Sequence, residues 1–143
     1  MAMHALLHMA TFDRPATSHE LAACMGANPV HLRRTLAGLR NAGLVRTTKG
    51  RGGGWSLARS LDELTLRDVH MALDESPLLA IGHRKAETSC LVEQVVNAAL
   101  EGTFRDAEAF LLERFASITL DRLAADFEHR LRAHCHEDHH DHG

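Results

Sequence analysis

The chain has 143 residues and a net charge of −3 at pH 7; 45% of its residues are hydrophobic and 4% are aromatic, with no Tyr. This length fits one modest domain with an appended element, and the aliphatic composition favours a mostly helical interior. No apolar run is long enough to span a membrane and no signal-peptide pattern is present, which predicts a cytoplasmic protein without a membrane partner. Three widely spaced cysteines predict reduced thiols and exclude a disulfide framework.

Charge is divided unevenly between the two halves of the chain. Residues 1–60 carry eight Lys or Arg and two Asp or Glu, whereas residues 61–143 carry eight and seventeen. The basic half is typical of a surface that binds a polyanion, and the acidic half of one that faces a partner or a regulator. Such a difference in charge between two halves can also arise by chance. The interpretation as a polyanion-binding surface therefore depends on the predicted helices and strands.

Two short helices are predicted at the start of the basic half. Apolar residues at helical spacing indicate a helix over residues 3–12, which Pro15 closes. A second helix over about residues 18–25 has Thr17 or Ser18 as its N-terminal cap.

A third helix completes a helix-turn-helix. Gly26 ends the second helix, and Asn28 followed by Pro29 opens the third. Polar and cationic side chains leave its apolar stripe for the outer surface, where arginine can bond guanine in the major groove. These residues are His31, Arg33, Arg34 and Arg40. Scattered arginines usually indicate a solvated helix face, but the helix-turn-helix spacing favours DNA contact.

A basic glycine run at residues 49–53 follows, with a strand-like segment on each side, and predicts a β-hairpin. A helix-turn-helix followed by a hairpin is the winged-helix architecture. In it, Lys49 and Arg51 at the hairpin tip would reach phosphates or the minor groove. Trp55 is interpreted as a plug of the core beneath the hairpin, with base stacking as the alternative.

The acidic half is predicted to be helical. Thr65 caps a short helix, and residues 74–89 form either a connector or a loop-rich regulatory segment. Helical patterns return over residues 90–100 and again from Thr103, and Thr119 is placed to cap a further helix.

A long amphipathic helix in this half predicts a homodimer, because so small a domain cannot bury the whole apolar face. Two-fold symmetry would place two recognition helices about one DNA turn apart and require a palindromic operator. The predicted division is a winged helix-turn-helix DNA-binding domain at 1–75, a linker or sensor segment at 76–102, dimerisation helices at 103–132 and a flexible His-rich tail at 133–143.

The tail is dense in imidazoles and carboxylates and holds one thiol. Such a tract can bind zinc, nickel or copper without implying a fixed geometry, and a merely polar tail is the alternative. Candidate ligands are His134, Cys135, His136, His139 and His140.

The chain resembles the Rrf2 family of bacterial transcription regulators up to about residue 123. The matching motifs, with x for a position that does not contribute, are residues 5–10 (ALLHMA), 20–22 (ELA), 31–39 (HLRRTLxxL), 42–45 (AGLV), 50–59 (GxGGGWxLAR), 64–69 (LTLxDV) and 118–120 (ITL). The resemblance implies a dimeric winged-helix regulator that binds double-stranded DNA, often a repressor. It places Asn28, Val30, His31, Arg33 and Arg34 on the recognition helix and Lys49 on the wing, with Arg51 where the family commonly has proline.

The resemblance also implies a sensor between the wing and the dimerisation helix. Cluster-binding members hold three cysteines in the segment that corresponds to residues 83–105, whereas this chain has Cys90 alone there. We therefore expect the cluster-free branch with no cofactor; an iron–sulfur cluster would need further ligands such as His83 or a residue of the partner subunit. Cys90 is expected to respond to oxidants or electrophiles. Three alternatives stay open. Cys90 is a purely structural cysteine, Cys90 and histidines form a metal-ion sensor, or Cys24 is the cysteine that is oxidised.

Catalysis is not expected, because the sequence offers no nucleophile–base set, phosphate loop or ordered metal triad. The leading hypothesis is a sequence-specific DNA-binding regulator, acting as a repressor. A winged-helix interaction module without DNA binding is the remaining alternative.

Overall fold

A computed structural model describes residues 1–73 and 90–137, with side chains described as far as Arg130. This part of the chain forms, in order, α1 (Ala2–Met9), α2 (Ser18–Met25), α3 (Pro29–Asn41), β1 (Val45–Thr48), β2 (Gly54–Leu57), α4 (Leu66–Ala72), α5 (Leu91–Ala116) and α6 (Leu120–Glu137). The architecture confirms the predicted fold class, mostly α with a small β-hairpin. The predicted connector at residues 74–89 lies outside the described residues.

Local sequence signals determine where α2 and α3 begin. The Glu20 backbone N–H donates to the Thr17 hydroxyl at 3.1 Å, and the Thr17 N–H donates to the Glu20 carboxylate at 2.8 Å. This capping box makes Thr17 the cap of α2 and leaves Ser18 as the first helical residue. At α3, the Val30 N–H donates to the Asn28 side-chain oxygen at 2.8 Å.

The hairpin, or wing, is attached to the loop between α1 and α2. Its strands are antiparallel, with Thr48 opposite Gly54. Ala16 and Trp55 exchange two backbone hydrogen bonds of 2.9 and 2.7 Å. Gly54 has a φ of 153°, and a Cβ at this position would lie 2.5 Å from the Ala16 carbonyl oxygen. Glycine is therefore required at the base of the wing, because a side chain would push the loop away.

One apolar core joins the helix-turn-helix, the wing and the start of α6. Fully buried large side chains in the described residues are Leu6, Leu21, Leu32, Leu36, Leu39, Leu44, Leu64 and Leu120. Burial of each such side chain stabilises the fold by about 1.5–3 kcal/mol. The Leu120 N–H also donates to the Leu64 carbonyl at 2.9 Å, and the Leu66 N–H donates to the Ile118 carbonyl at 3.0 Å. The turn between α5 and α6 is therefore anchored to the winged helix.

The helical patterns that the sequence shows over residues 90–100 and from Thr103 belong to one continuous helix, α5. Gly102 lies in the helix interior, where a single glycine weakens a helix without ending it. The Thr103 hydroxyl donates to the Ala99 carbonyl at 2.9 Å and does not cap a new helix. Residues 91–102, predicted as part of the sensor segment, thus share one helix with the predicted dimerisation residues.

The last helix is longer than the sequence indicated. The backbone of α6 is helical as far as Glu137, which includes residues 133–137 of the predicted flexible tail. Residues 138–143 lie outside the described residues.

Candidate nucleic-acid interface

The two sides of α3 differ in burial. Leu32, Leu36 and Leu39 are fully buried, because they recur at the period of an α-helix and face the core. We call the opposite, exposed side the α3 outer face. Its residues, with the cap, are Asn28, Val30, His31, Arg33, Arg34 and Arg40. The α3 residues that the sequence proposed for DNA contact are therefore all exposed.

The start of α3 presents one aliphatic side chain and one amide. Val30 is 58% exposed, which leaves its methyl groups available at the end of the helix. Such a group can contact the methyl group of thymine in a major groove. The Asn28 side-chain oxygen already accepts the Val30 N–H, so the Asn28 amide has its NH₂ group left to donate outward.

Arg33 and Arg34 carry charges that the described residues do not neutralise. Neither side chain forms an ion pair within the described part of the chain. The Arg33 Nε donates to the Ser18 hydroxyl at 3.1 Å, across the helix-turn-helix. Arg14, in contrast, forms an ion pair with Glu20 at 2.6 Å. The outer face of α3 thus keeps positive charge that a polyanion could neutralise.

The tip of the wing carries two further cations. Lys49 and Arg51 are exposed in the turn between β1 and β2, without an ion pair to any residue of the described ranges. Trp55 is partly buried against the core, as the sequence indicated, and the Arg40 guanidinium lies 5.9 Å from the centre of its ring. This cation–π contact ties the end of α3 to the wing. α3 and the wing, which both carry exposed cations, therefore belong to one packed unit.

The capping box of α2 contains a strongly perturbed carboxylate. Hydrogen bonds from Arg14 and Thr17 hold the pKa of Glu20 at about 2, well below its usual range. The same carboxylate raises the pKa of Arg14. Both groups stay charged at neutral pH, so the cap of α2 is intact under physiological conditions.

Two side-chain hydrogen bonds in this region were not predicted from the sequence. Ser18 was considered only as a cap, and its bond to Arg33 spans fifteen positions, so periodicity gives no signal for it. Arg46 on β1 was not singled out, although it is exposed and its Nε donates to the Ser56 hydroxyl at 3.3 Å. A strand that alternates sides could have indicated Arg46, since it faces away from the buried Val45.

The acidic half presents a different surface. α5 buries none of its side chains, and Cys90 is exposed at its N-cap; Cys24 is exposed on α2. An apolar face of this extent on one helix is typical of a surface that a partner covers. Its large exposed side chains are Leu91, Val92, Val95, Val96, Leu100 and Phe110.

The described residues do not provide a ligand set for a metal ion, since no three His, Cys, Asp or Glu side chains converge among them. The candidate tail ligands are untested and stay a prediction. Outside the described structure lie His83, His139 and His140, and the side chains of His134, Cys135 and His136. Among the helices that are described, none has the length and apolar character needed to cross a membrane.

Sequence comparisons identify relatives along most of the chain. The family model described as "Rrf2: Iron-dependent Transcriptional regulator" matches residues 1–126. Protein aau3 of Rhizobium meliloti (strain 1021) is 33% identical over 104 residues, which cover 73% of this chain and 66% of aau3, just under two thirds of that relative. YwnA of Bacillus subtilis (strain 168), named as a candidate HTH-type transcriptional regulator, is 26% identical over 120 residues, or 84% of this chain and 89% of YwnA.

A solved structure has the same fold. The crystal structure of a candidate transcriptional regulator from Lactobacillus plantarum matches with a TM-score of 0.73 and 26% identity, covering 96% of this chain and 93% of the other. The fold, the family model and these relatives confirm the resemblance drawn from the motifs.

The described residues do not provide a set of donor atoms that fits the iron named in the family description. Cys90 is the one cysteine between residues 83 and 105, and it joins no group of three described His, Cys, Asp or Glu side chains.

Proposed function

Because the chain belongs to the Rrf2 family of transcriptional regulators, which are not enzymes, we propose that it binds double-stranded DNA of defined sequence. The observation that carries this proposal is positive charge on two adjoining elements that forms no ion pair with the described residues. Arg33 and Arg34 supply it on the α3 outer face, and Lys49 and Arg51 supply it at the wing tip. Cations at these places bind phosphates, and a helix of this kind adds contacts to base edges.

The start of α3 enters the major groove. Arg33 and Arg34 bond guanine or phosphate, and Val30 packs against a thymine methyl group. Asn28 and His31 donate hydrogen bonds to base acceptors or phosphates. These side chains supply the specificity for sequence.

The wing supplies affinity that depends little on sequence. Lys49 and Arg51 reach the neighbouring minor groove or the phosphates that border it. Each phosphate contact releases counterions, so this part of the affinity falls as salt increases.

The protein acts as a homodimer on a palindromic operator and represses transcription there. The exposed apolar face of α5 supports this proposal, because a second copy can cover it while two-fold symmetry places both α3 helices on one side of the DNA. A dimer seated on a promoter excludes polymerase by occupying its site.

Cys90 carries the signal; it lies within residues 76–102, the proposed sensor segment, and is the N-cap of α5. It is exposed and directly precedes Leu91, the first residue of the apolar face. Hydrogen peroxide oxidises a thiolate to sulfenate by transferring one oxygen to sulfur, and the remaining oxygen leaves as water. A polar oxygen at the edge of the dimer interface would shift the pairing of α5 and lower operator affinity.

Oxidation of variants that each lack one cysteine tests the signal. Peroxide should release DNA from the wild-type chain and from Cys24→Ser, whereas Cys90→Ser should stay bound. Equal release from Cys90→Ser would remove Cys90 from the mechanism.

Selection from a pool of random duplexes tests DNA binding. We expect the wild-type chain to enrich a palindrome and to bind it roughly 10³-fold or more tightly than a scrambled duplex of equal length. Enrichment of no sequence, or equal affinity for both duplexes, would contradict specific DNA binding and favour an interaction module.

A further inference from the structure

We propose that Ser18 is a positioning residue for Arg33, an inference that rests on the proposed DNA binding. Ser18 is the first residue of α2 and is 9% exposed. Thr17 and Glu20 already form the cap of this helix, so capping does not require the Ser18 hydroxyl. The hydroxyl instead accepts the Arg33 Nε–H at 3.1 Å.

This bond determines which edge of the Arg33 guanidinium faces outward. A guanidinium carries five N–H donors in a planar fork, and it can bond a guanine or a phosphate through either of two edges. One edge contains Nε and one terminal nitrogen, and the other contains both terminal nitrogens. Because Nε is engaged with Ser18, Arg33 presents its two terminal nitrogens and meets its target end-on.

Orientation before binding preserves affinity. A long side chain that becomes immobile only on binding weakens a complex by roughly two- to tenfold, owing to its lost rotational freedom. Arg33 avoids part of this loss because the nearly buried Ser18 holds it in place. Arg34, the next residue on the same exposed face, has no hydrogen bond of this kind among the described residues and is the matched comparison.

A double-mutant cycle on operator affinity tests the proposal. The duplex selected by the wild-type chain is used as the probe, and Kd is measured by fluorescence anisotropy. Ser18→Ala should weaken binding roughly three- to tenfold in the wild-type and Arg34→Ala backgrounds. In the Arg33→Ala background the same substitution should change Kd by less than about twofold, because its target is absent.

Controls separate positioning from stability. Ser18→Thr keeps a hydroxyl and should bind within about twofold of wild type, and melting curves establish that each variant is folded. An equal loss from Ser18→Ala in all three backgrounds would indicate a merely structural serine and overturn the proposal. A wild-type chain that selects no duplex would overturn the proposed function and this inference together, whereas an uncoupled cycle overturns only the role of Ser18.

Discussion

The basic and acidic halves of this chain differ in how they use apolar residues. In the helix-turn-helix and wing, leucines are fully buried and the exposed surface is cationic. On α5 no side chain is buried, and valines and leucines are exposed along one face. The apolar residues of the basic half are used in its own core, whereas those exposed on α5 are available to a partner. We therefore assign the proposed DNA contact and the proposed dimerisation to separate surfaces.

The largest expected effect comes from a charge in the apolar face of α5. Val95→Asp should give a monomer by light scattering, because a carboxylate cannot be buried unpaired in an apolar interface. Operator affinity should fall about 10²–10⁴-fold when two half-sites can no longer be held at once. Asn97→Asp, which places the same charge elsewhere on α5, is the control and should remain a dimer. A dimeric Val95→Asp protein would refute this use of α5.

Truncation of a core side chain in the basic half should lower the free energy of unfolding. Leu36→Ala removes a fully buried side chain and should lower the free energy of unfolding by about 2–5 kcal/mol in urea titrations. Met71→Ala, at a side chain that is 62% exposed, should change it by about 0.5 kcal/mol or less. Similar losses in both variants would contradict the assigned core.

Contacts to DNA bases and contacts to DNA phosphates should have different effects when they are removed. Arg34→Ala should weaken operator binding by about 1–3 kcal/mol and relax the preference at one base pair, if Arg34 bonds a guanine. Lys49→Ala should weaken operator and scrambled duplex alike. Competition assays with single-base operator variants distinguish these patterns, and a uniform loss from Arg34→Ala would assign it to phosphate.

Acid pH should probe the capping box of α2. The folded-state pKa of Glu20 is about 2, below its ordinary value of 4.5, so its stabilising contribution is present above pH 4.5 and is lost as pH falls towards 2. The melting temperature of wild type should exceed that of Glu20→Gln at neutral pH, and the difference should shrink between pH 4.5 and 2. A difference that stays constant over this range would argue against the perturbed carboxylate.

Elements governed by local chemistry were predictable from the sequence. The α3 start follows from Asn28 and Pro29, and the wing follows from glycines between two short strands. The continuity of α5 through Gly102 was not evident from the sequence, because a glycine and a threonine tolerated inside a long helix look the same in sequence as a helix end.

Contacts between distant residues were beyond sequence reasoning. The bond from Arg33 to Ser18 and the backbone pairing of Ala16 with Trp55 depend on how separate elements pack. The burial of Leu120 beneath the winged helix depends on the same packing. Periodicity identifies which side of a helix is apolar, but it does not identify the neighbour.

Salt dependence tests most directly whether the basic half binds DNA phosphates. The logarithm of operator affinity is measured against the logarithm of salt concentration for wild type, Lys49→Ala and Arg122→Ala. Lys49 is exposed on the wing, and Arg122 is an exposed cation of α6 in the acidic half. We predict a steep wild-type slope that becomes shallower by about 0.9 in Lys49→Ala and stays unchanged in Arg122→Ala. A flat wild-type slope, or equal changes in both variants, would contradict the account.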